Sequence, residues 1–218
     1  MKRVFWSILL VIGVFLVVGA SSAYAKVDGR FAVALVLPGS LNDGSWNATA
    51  YRAAKQLEST LGVKLTVQEH IKPTEVERVF RTFASKGYDI VIGHTFLYLD
   101  AILKVAKSFP KTAFLHVPGL KTRKNVSVGH NPLYEGYYLC GMIAGRITKT
   151  NKIGAVAGFE IPDTTSLVEA FREGAQAVNP KVKFLVTYAG TWHDSQKGKE
   201  AAIALIEAGA DIVSGFGN

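Results

Sequence analysis

Asp43, Trp46 and Asn47 are the residues whose types and spacing best suit chemistry. They lie in the stretch Leu37-Pro38-Gly39-Ser40-Leu41-Asn42-Asp43-Gly44-Ser45-Trp46-Asn47. A carboxylate, an aromatic plane and an amide this close together suit the holding of a flat polar molecule, by stacking on its face and hydrogen bonds to its edge. The same residues also read as a capped helix start. Asn42, Asp43 and Ser45 are all good N-cap types, Gly39 and Gly44 permit tight turns, and Trp46 would then be packing. The loop alone leaves both readings open.

The remaining reactive residues point away from catalysis. His70, His94, His116, His130 and His193 show no metal-ligand spacing such as an i, i+4 pair on one helix. His94 and His193 fall on loops and could donate to a ligand. There is no Gly-x-Ser-x-Gly, Ser-x-x-Lys or Walker loop, so hydrolysis and phosphate transfer have no motif behind them. Neither a cofactor nor a metal is expected. Cys140, the single cysteine, lies among Leu139, Met142 and Ile143 and reads as a small buried hydrophobe, which leaves no disulfide framework.

Positioning these residues requires a scaffold, and the chain alternates apolar strands with amphipathic helices, the pattern of an α/β fold with parallel sheets. Phe31–Leu37 reads as a buried strand, followed by a helix from about Trp46 that turns Ala50, Ala53, Leu57 and Leu61 inward and ends at Gly62. Leu65–Gln68 is a strand; Pro73 opens a helix with Val76, Val79, Phe80 and Phe83 inward and Gly87 as its stop. Asp89–Ile92 is a strand, then comes a helix through Leu99, Ile102, Leu103 and Ala106, and Ala113–Val117 and Val126–Val128 are short strands. Leu133 to Lys149 is apolar on most faces and interrupted by Gly136, Gly141 and Gly145. It is too short between Glu135 and Arg146 to span a membrane, and is expected to be a buried helix joining two lobes, with the glycines permitting close backbone approach.

The pattern then restarts, with strands at Ile153–Ala157, Val182–Val186 and Asp211–Val213 and helices at Thr164–Val178 and Ser195–Ala208. Lys86-Gly87-Tyr88-Asp89-Ile90-Val91-Ile92-Gly93 is echoed by Glu207-Ala208-Gly209-Ala210-Asp211-Ile212-Val213-Ser214-Gly215. Asp89 to Asp211 and Phe31 to Ile153 share an offset of 122, which predicts two similar lobes. The domain expectation is a signal peptide at 1–25, an N-terminal lobe at 26–130 and a partial C-terminal lobe at 131–218. A second lobe ending three residues after Gly215 would expose a sheet edge, so the chain is expected to be a fragment of a longer protein.

The N-terminus supplies a compartment. Met1-Lys2-Arg3, an apolar run from Val4 to Ala20 and Ala23-Tyr24-Ala25 have the layout of a secretory signal peptide cut after Ala25. An uncleaved anchor is the competing reading. No cysteine stands at the cut to carry a lipid, so a periplasmic protein is expected. The chain has 25 basic residues against 17 acidic; losing Lys2 and Arg3 with the signal would leave a balance of +6, spread along the chain with no nucleic-acid motif.

In open α/β folds, ligands bind at the loops leaving the carboxyl ends of strands. In the first lobe these are Asp43 to Asn47 and Gly93-His94-Thr95-Phe96, with Asp100 one helical turn on. In the second they are Gly158–Pro162, Gly190–Asp194 and Gly215–Asn218. Trp46, Phe96, Phe159 and Trp192 then converge on one cleft if the lobes face each other, and four aromatics at loop tips favour stacking of a planar ligand.

Asn42-Asp43-Gly44-Ser45-Trp46-Asn47, Gly87–Gly93, Tyr134-Glu135-Gly136-Tyr137-Tyr138-Leu139-Cys140-Gly141 and Lys197-Gly198-Lys199-Glu200 carry a resemblance to a known family. So do Phe159-Glu160-Ile161-Pro162 and Val178-Asn179-Pro180. From about Phe31 to its end the chain resembles the basic membrane protein, or purine nucleoside receptor A-like, substrate-binding proteins of ABC importers. The resemblance implies a type I periplasmic-binding fold of two Rossmann-like lobes that close by a hinge. It also implies a purine nucleoside or related base as solute, delivery to an inner-membrane ABC permease, and a monomer. Carried onto this sequence, it marks Asp43, Trp46, Asn47, Phe96, Asp100 and Phe159 as ligand-binding, with Trp46 where many members have Phe. His94, Trp192 and Asn218 join the candidate set from their loops. His94-Thr95 replaces small residues common there, and the lipid-anchor cysteine is absent.

Three functions follow as expectations. The first is a solute-binding protein that does no chemistry. The second is a binder of a sugar or other small polar solute on the same fold. The third is a secreted nucleoside hydrolase with Asp43 or Asp100 as general base.

Overall fold

A computed structural model describes residues 29–192 and 194–216. The proposed signal peptide, His193 and Asn218 lie outside the described residues. Two wholly parallel sheets organise the chain. The first has the order β2-β1-β3-β4-β5, built from β1 (Ala32–Val36), β2 (Lys64–Gln68), β3 (Ile90–Gly93), β4 (Ala113–His116) and β5 (Val126–Val128). The second has the order β7-β6-β8, built from β6 (Lys152–Ala157), β7 (Lys183–Tyr188) and β8 (Ile212–Phe216). The helices are α1 (Trp46–Leu61), α2 (Val76–Ser85), α3 (Leu99–Ser108), α4 (Leu133–Ile147), α5 (Pro162–Val178) and α6 (Ser195–Glu207).

Strand alternation divides the first core in two. Ala32, Ala34 and Val36 of β1 pack with Val91, Phe114 and Val126 against α2 and α3, through Val79, Phe80, Phe83, Ile102 and Val105. Leu35 and Leu37 point the other way, onto α1 through Ala54 and Ala50. Because successive side chains leave a strand on opposite faces, a buried sheet of this kind needs apolar residues at every β1 position, and all five are buried. The face of α1 differs from the expectation. Asn47, Ala50, Ala54 and Leu57 turn inward, while Ala53 is exposed and Leu61 is 67% exposed. Ala50 and Leu57 lie on the expected face, whereas Ala54 rather than its neighbour Ala53, about 100° around the helix, meets the sheet.

The second sheet repeats the first, β7-β6-β8 matching β2-β1-β3. Its register corrects the shared offset. With Asp89 matched to Asp211, the β1–β3 and β6–β8 pairings match Ala32 to Lys152, an offset of 120 rather than 122. The repeated aspartates have a structural role. Asp89 accepts from the Ala32 amide at 2.8 Å, and Asp211 accepts from the Lys149 and Thr150 amides at 2.5 and 3.1 Å. Each ties the start of the third strand of its unit to the chain entering or preceding the first.

Helix α4 is not the buried helix expected. Leu139, Ile143 and Ile147 are 60, 61 and 62% exposed, and Cys140 is exposed as well. Its buried face is Gly141, Ala144 and Gly145, pressed against α5. A Cβ on Gly141 would stand 2.0 Å from the Phe171 carbonyl oxygen, and one on Gly145 2.4 Å from that of Ala175. On α5, a Cβ on Gly174 would stand 2.0 Å from the Tyr138 oxygen. Backbone meets backbone here, so apolar content alone misjudges which face is inside.

Gly141→Ala should therefore destabilise by about 1–3 kcal/mol through overpacking. Gly136→Ala, on an exposed stretch with nothing within 4 Å of the new methyl, should stabilise by roughly 0.5–1 kcal/mol from helix propensity. Urea unfolding of both variants checks the pair, and equal effects would contradict the packing described.

Candidate functional site

The loop from β1 to α1 is organised by Asp43. Ser45 occupies the N-cap position but its side chain makes no capping bond. Asp43 does that work from two residues upstream: its carboxylate accepts from the amides of Ser45, Asn47 and Ala48 at 2.9 Å each, and from Asn47 Nδ2 at 2.8 Å. Burial pushes the Asp43 carboxyl up, but the amides of Ala48, Asn47 and Ser45 and the Asn47 side chain outweigh it and bring the pKa down to about 2. A carboxylate can only accept, so Asn47 must turn its NH₂ toward Asp43. Its Oδ1 is left buried, with no partner among the described residues.

Trp46, the first residue of α1, is clamped by His94 at the end of β3. The rings stack 4.3 Å apart at 15°. The Trp46 Nε1–H donates to the His94 carbonyl at 3.1 Å, and His94 Nε2 pairs with the Trp46 carbonyl at the same distance. Since that carbonyl can only accept, Nε2 carries the proton. Burial pushes the His94 pKa down, against the opposing Trp46 hydrogen bond and the Asp43 charge.

Trp46 and Asn47 border a cavity of about 220 Å³ between the two sheets. From the first sheet come Pro38, Ser45, Trp46, Asn47, Thr95, Phe96 and Pro118; Leu133 and Tyr137 come from α4, and Ile161, Asp163, Thr164, Leu167, Trp192 and Phe216 from the second unit. Tyr137 stacks on Phe216 at 4.7 Å and 24°, and Phe171 braces Phe216 edge-on at 5.5 Å. A volume below the ~300–1,000 Å³ of drug-sized pockets suits a small solute.

Of the residues singled out from sequence, Trp46, Asn47, Phe96 and Trp192 border this cavity together. Phe159 does not border it. It stands edge-on to Trp192 at 5.3 Å, behind the ring that does. Asp43 borders a neighbouring hollow with Trp192 and Phe216, its carboxylate engaged with the start of α1. His94 lies behind Trp46, and Asp100 is exposed on the first turn of α3, away from the cavity lining. Tyr137, Asp163 and Thr164 were missed. The available signal was the start of α5: Pro162-Asp163-Thr164 follows β6 as Trp46-Asn47 follows β1, and Pro162 marks a first helical turn. Among the described residues, no group of three or more His, Cys, Asp or Glu could hold a metal, and no helix is long and apolar enough to cross a membrane.

Two parallel sheets of matching order, facing each other across an aromatic-lined cavity, define the type I periplasmic-binding fold of solute-binding proteins. A family model described as ABC transporter substrate-binding protein PnrA-like matches residues 31–217, and the chain belongs to that family. A purine-binding protein of Brucella abortus is 32% identical over 203 residues, covering 92% of this chain and 57% of its own. A Haloferax volcanii protein, assigned by name as the glucose-binding protein of an ABC transporter, is 38% identical over 146 residues, 67% of this chain and 37% of its own. The crystal structure of a solute-binding protein from Aeropyrum pernix superposes with a TM-score of 0.77 at 26% identity, covering 85% of this chain and 55% of that one. The chain thus spans little more than half the length of these relatives at most.

The capping role of Asp43 has a signed pH dependence. Its folded pKa of about 2 lies below the ordinary 3.8, so its contribution is fully present above about pH 4 and is lost as pH falls through 2. Asp43→Ala should cost about 1 kcal/mol at pH 7, the usual worth of a helix cap. Urea unfolding at pH 7, 4 and 2 should find the gap between wild type and variant shrinking across the last interval. A constant gap would contradict the assignment.

Proposed function

We propose that the protein captures a small planar solute, a purine nucleoside or related base, in the cavity between its sheets and releases it unaltered to the permease of an ABC importer. Capture takes place outside the cytoplasm, in the periplasm, by a monomer whose lobes at 26–130 and 131–218 close on the solute about a hinge. The observation that carries this reading is the Trp46 ring, locked flat against His94 and bordering the same cavity as Phe96, Trp192 and the stacked Tyr137–Phe216 pair. Fixed aromatic planes bind flat rings without first spending entropy on ordering themselves. The named function of the Brucella relative supports the choice of purine.

A hydrolase has less behind it. The Asp43 carboxylate is engaged by the amides that start α1, and Asp100 does not border the cavity. A sugar is the second reading, favoured by the name of the Haloferax relative.

Calorimetry of the full-length protein against purine nucleosides, purine bases and glucose tests both readings. A purine should bind, and Trp46→Ala should weaken it about 5- to 150-fold, the ~1–3 kcal/mol of one base–aromatic stack. Incubation with nucleoside should release no free base. Heat with glucose alone would move the assignment to the sugar reading; heat with none of these solutes would end the purine one.

A further inference from the structure

Two residues bordering the cavity, Asn47 and Asp163, carry side-chain acceptors that meet no donor among the described residues. Asn47 is 0% exposed, its NH₂ is spent on Asp43, and its Oδ1 has no hydrogen-bond partner. Across from it, on the first turn of α5, Asp163 borders the same cavity. Among the described residues no hydrogen bond or ion pair engages its carboxylate. Burial pushes that carboxyl up, and the charge on His130 opposes the rise only in part. A buried acceptor without a donor costs free energy, and a half-buried carboxylate more. A solute that supplies donors relieves both costs, whereas one that presents oxygen there adds repulsion.

We propose that Asp163, together with Asn47 Oδ1, determines specificity by selecting solutes that present N–H donors and rejecting ring systems that present carbonyl or anionic oxygen at the same edge. This rests on the purine reading above and names the subclass, purines with an exocyclic amino group over the counterparts in which that group is replaced by oxo. Discrimination of this kind is strong because the wrong solute leaves a buried polar group unpaired. The pairing also gives each half of the cavity its own polar contact, Asn47 from the first unit and Asp163 from the second.

The test is a calorimetric comparison of two matched pairs, adenosine with inosine and guanosine with xanthosine, in which an amino group is exchanged for an oxo group. Xanthosine also loses a ring proton near neutral pH and so brings an anion. In the full-length protein the amino member of at least one pair should bind roughly tenfold or more tightly than its oxo partner, the usual effect of a charge-assisted hydrogen bond. Asp163→Asn, which can turn a donor toward the solute, should shrink that ratio to roughly threefold or less, or invert it, with the thermal melt of the unliganded protein unchanged. Equal or tighter binding of both oxo members to wild type overturns this inference and leaves the purine reading standing. An undiminished preference in Asp163→Asn also overturns it. Should that variant fail to fold, the wild-type ratios decide alone, and binding of none of the four solutes removes both readings.

Discussion

The rest of the site depends on one ionised carboxylate at the start of α1. Asp43 satisfies the amides at the start of α1 and, in the same geometry, takes the Asn47 NH₂. Helix starts carry unsatisfied donors, and an acidic group placed there is held by both hydrogen bonds and the helix dipole. This fixes where α1 begins, and so where Trp46 stands against His94. It also fixes the sense of the Asn47 amide, which leaves Oδ1 as the bare atom. A structural charge thus sets the chemistry of a neighbour.

The second sheet solves the same placement problem with fewer residues. Nine residues separate β1 from α1, but only four separate β6 from α5. The short connection brings Asp163 and Thr164 directly to the cavity, where the first unit needs a capped loop to deliver Trp46 and Asn47. The aromatic wall is divided in a similar way. Trp46 gains its rigidity from a histidine of the neighbouring strand, while Phe216 gains it from Tyr137 on α4 and Phe171 on α5.

Most of the architecture was legible in the sequence because it rests on patterns of short range. Continuous apolar runs became buried parallel strands, Gly62 ended α1 in a left-handed cap, and the Asp-containing repeat marked two equivalent units. Where the sequence misled, long-range contact decided. The inward face of α1 depends on which of two adjacent alanines meets Leu35 and Leu37, and small residues carry little hydrophobic signal. Helix α4 is apolar on most faces, yet its buried face is chosen by the fit of Gly141 and Gly145 to the backbone of α5 and of Gly174 on α5 to its own, which no local window contains. At the site, the aromatic and amide residues of the first loop border the cavity, while Asp43 holds the amides that start α1 and His94 stacks on the Trp46 ring. Asp163 was overlooked because a Pro-Asp pair reads as nothing more than a helix start until the opposite wall is known.

The close seat of α4 on α5 has a mechanical consequence. With carbonyl oxygens of one helix lying where the other has only glycine hydrogens, backbone bears directly on backbone at Gly141, Gly145 and Gly174 and resists sliding of the pair. Asp163 at the head of α5 and the shaft of α4 therefore travel as one lever. The first unit reaches this pair through the four residues between β5 and α4, Gly129-His130-Asn131-Pro132. His130, which draws the Asp163 carboxyl down against its burial, lies in that connection.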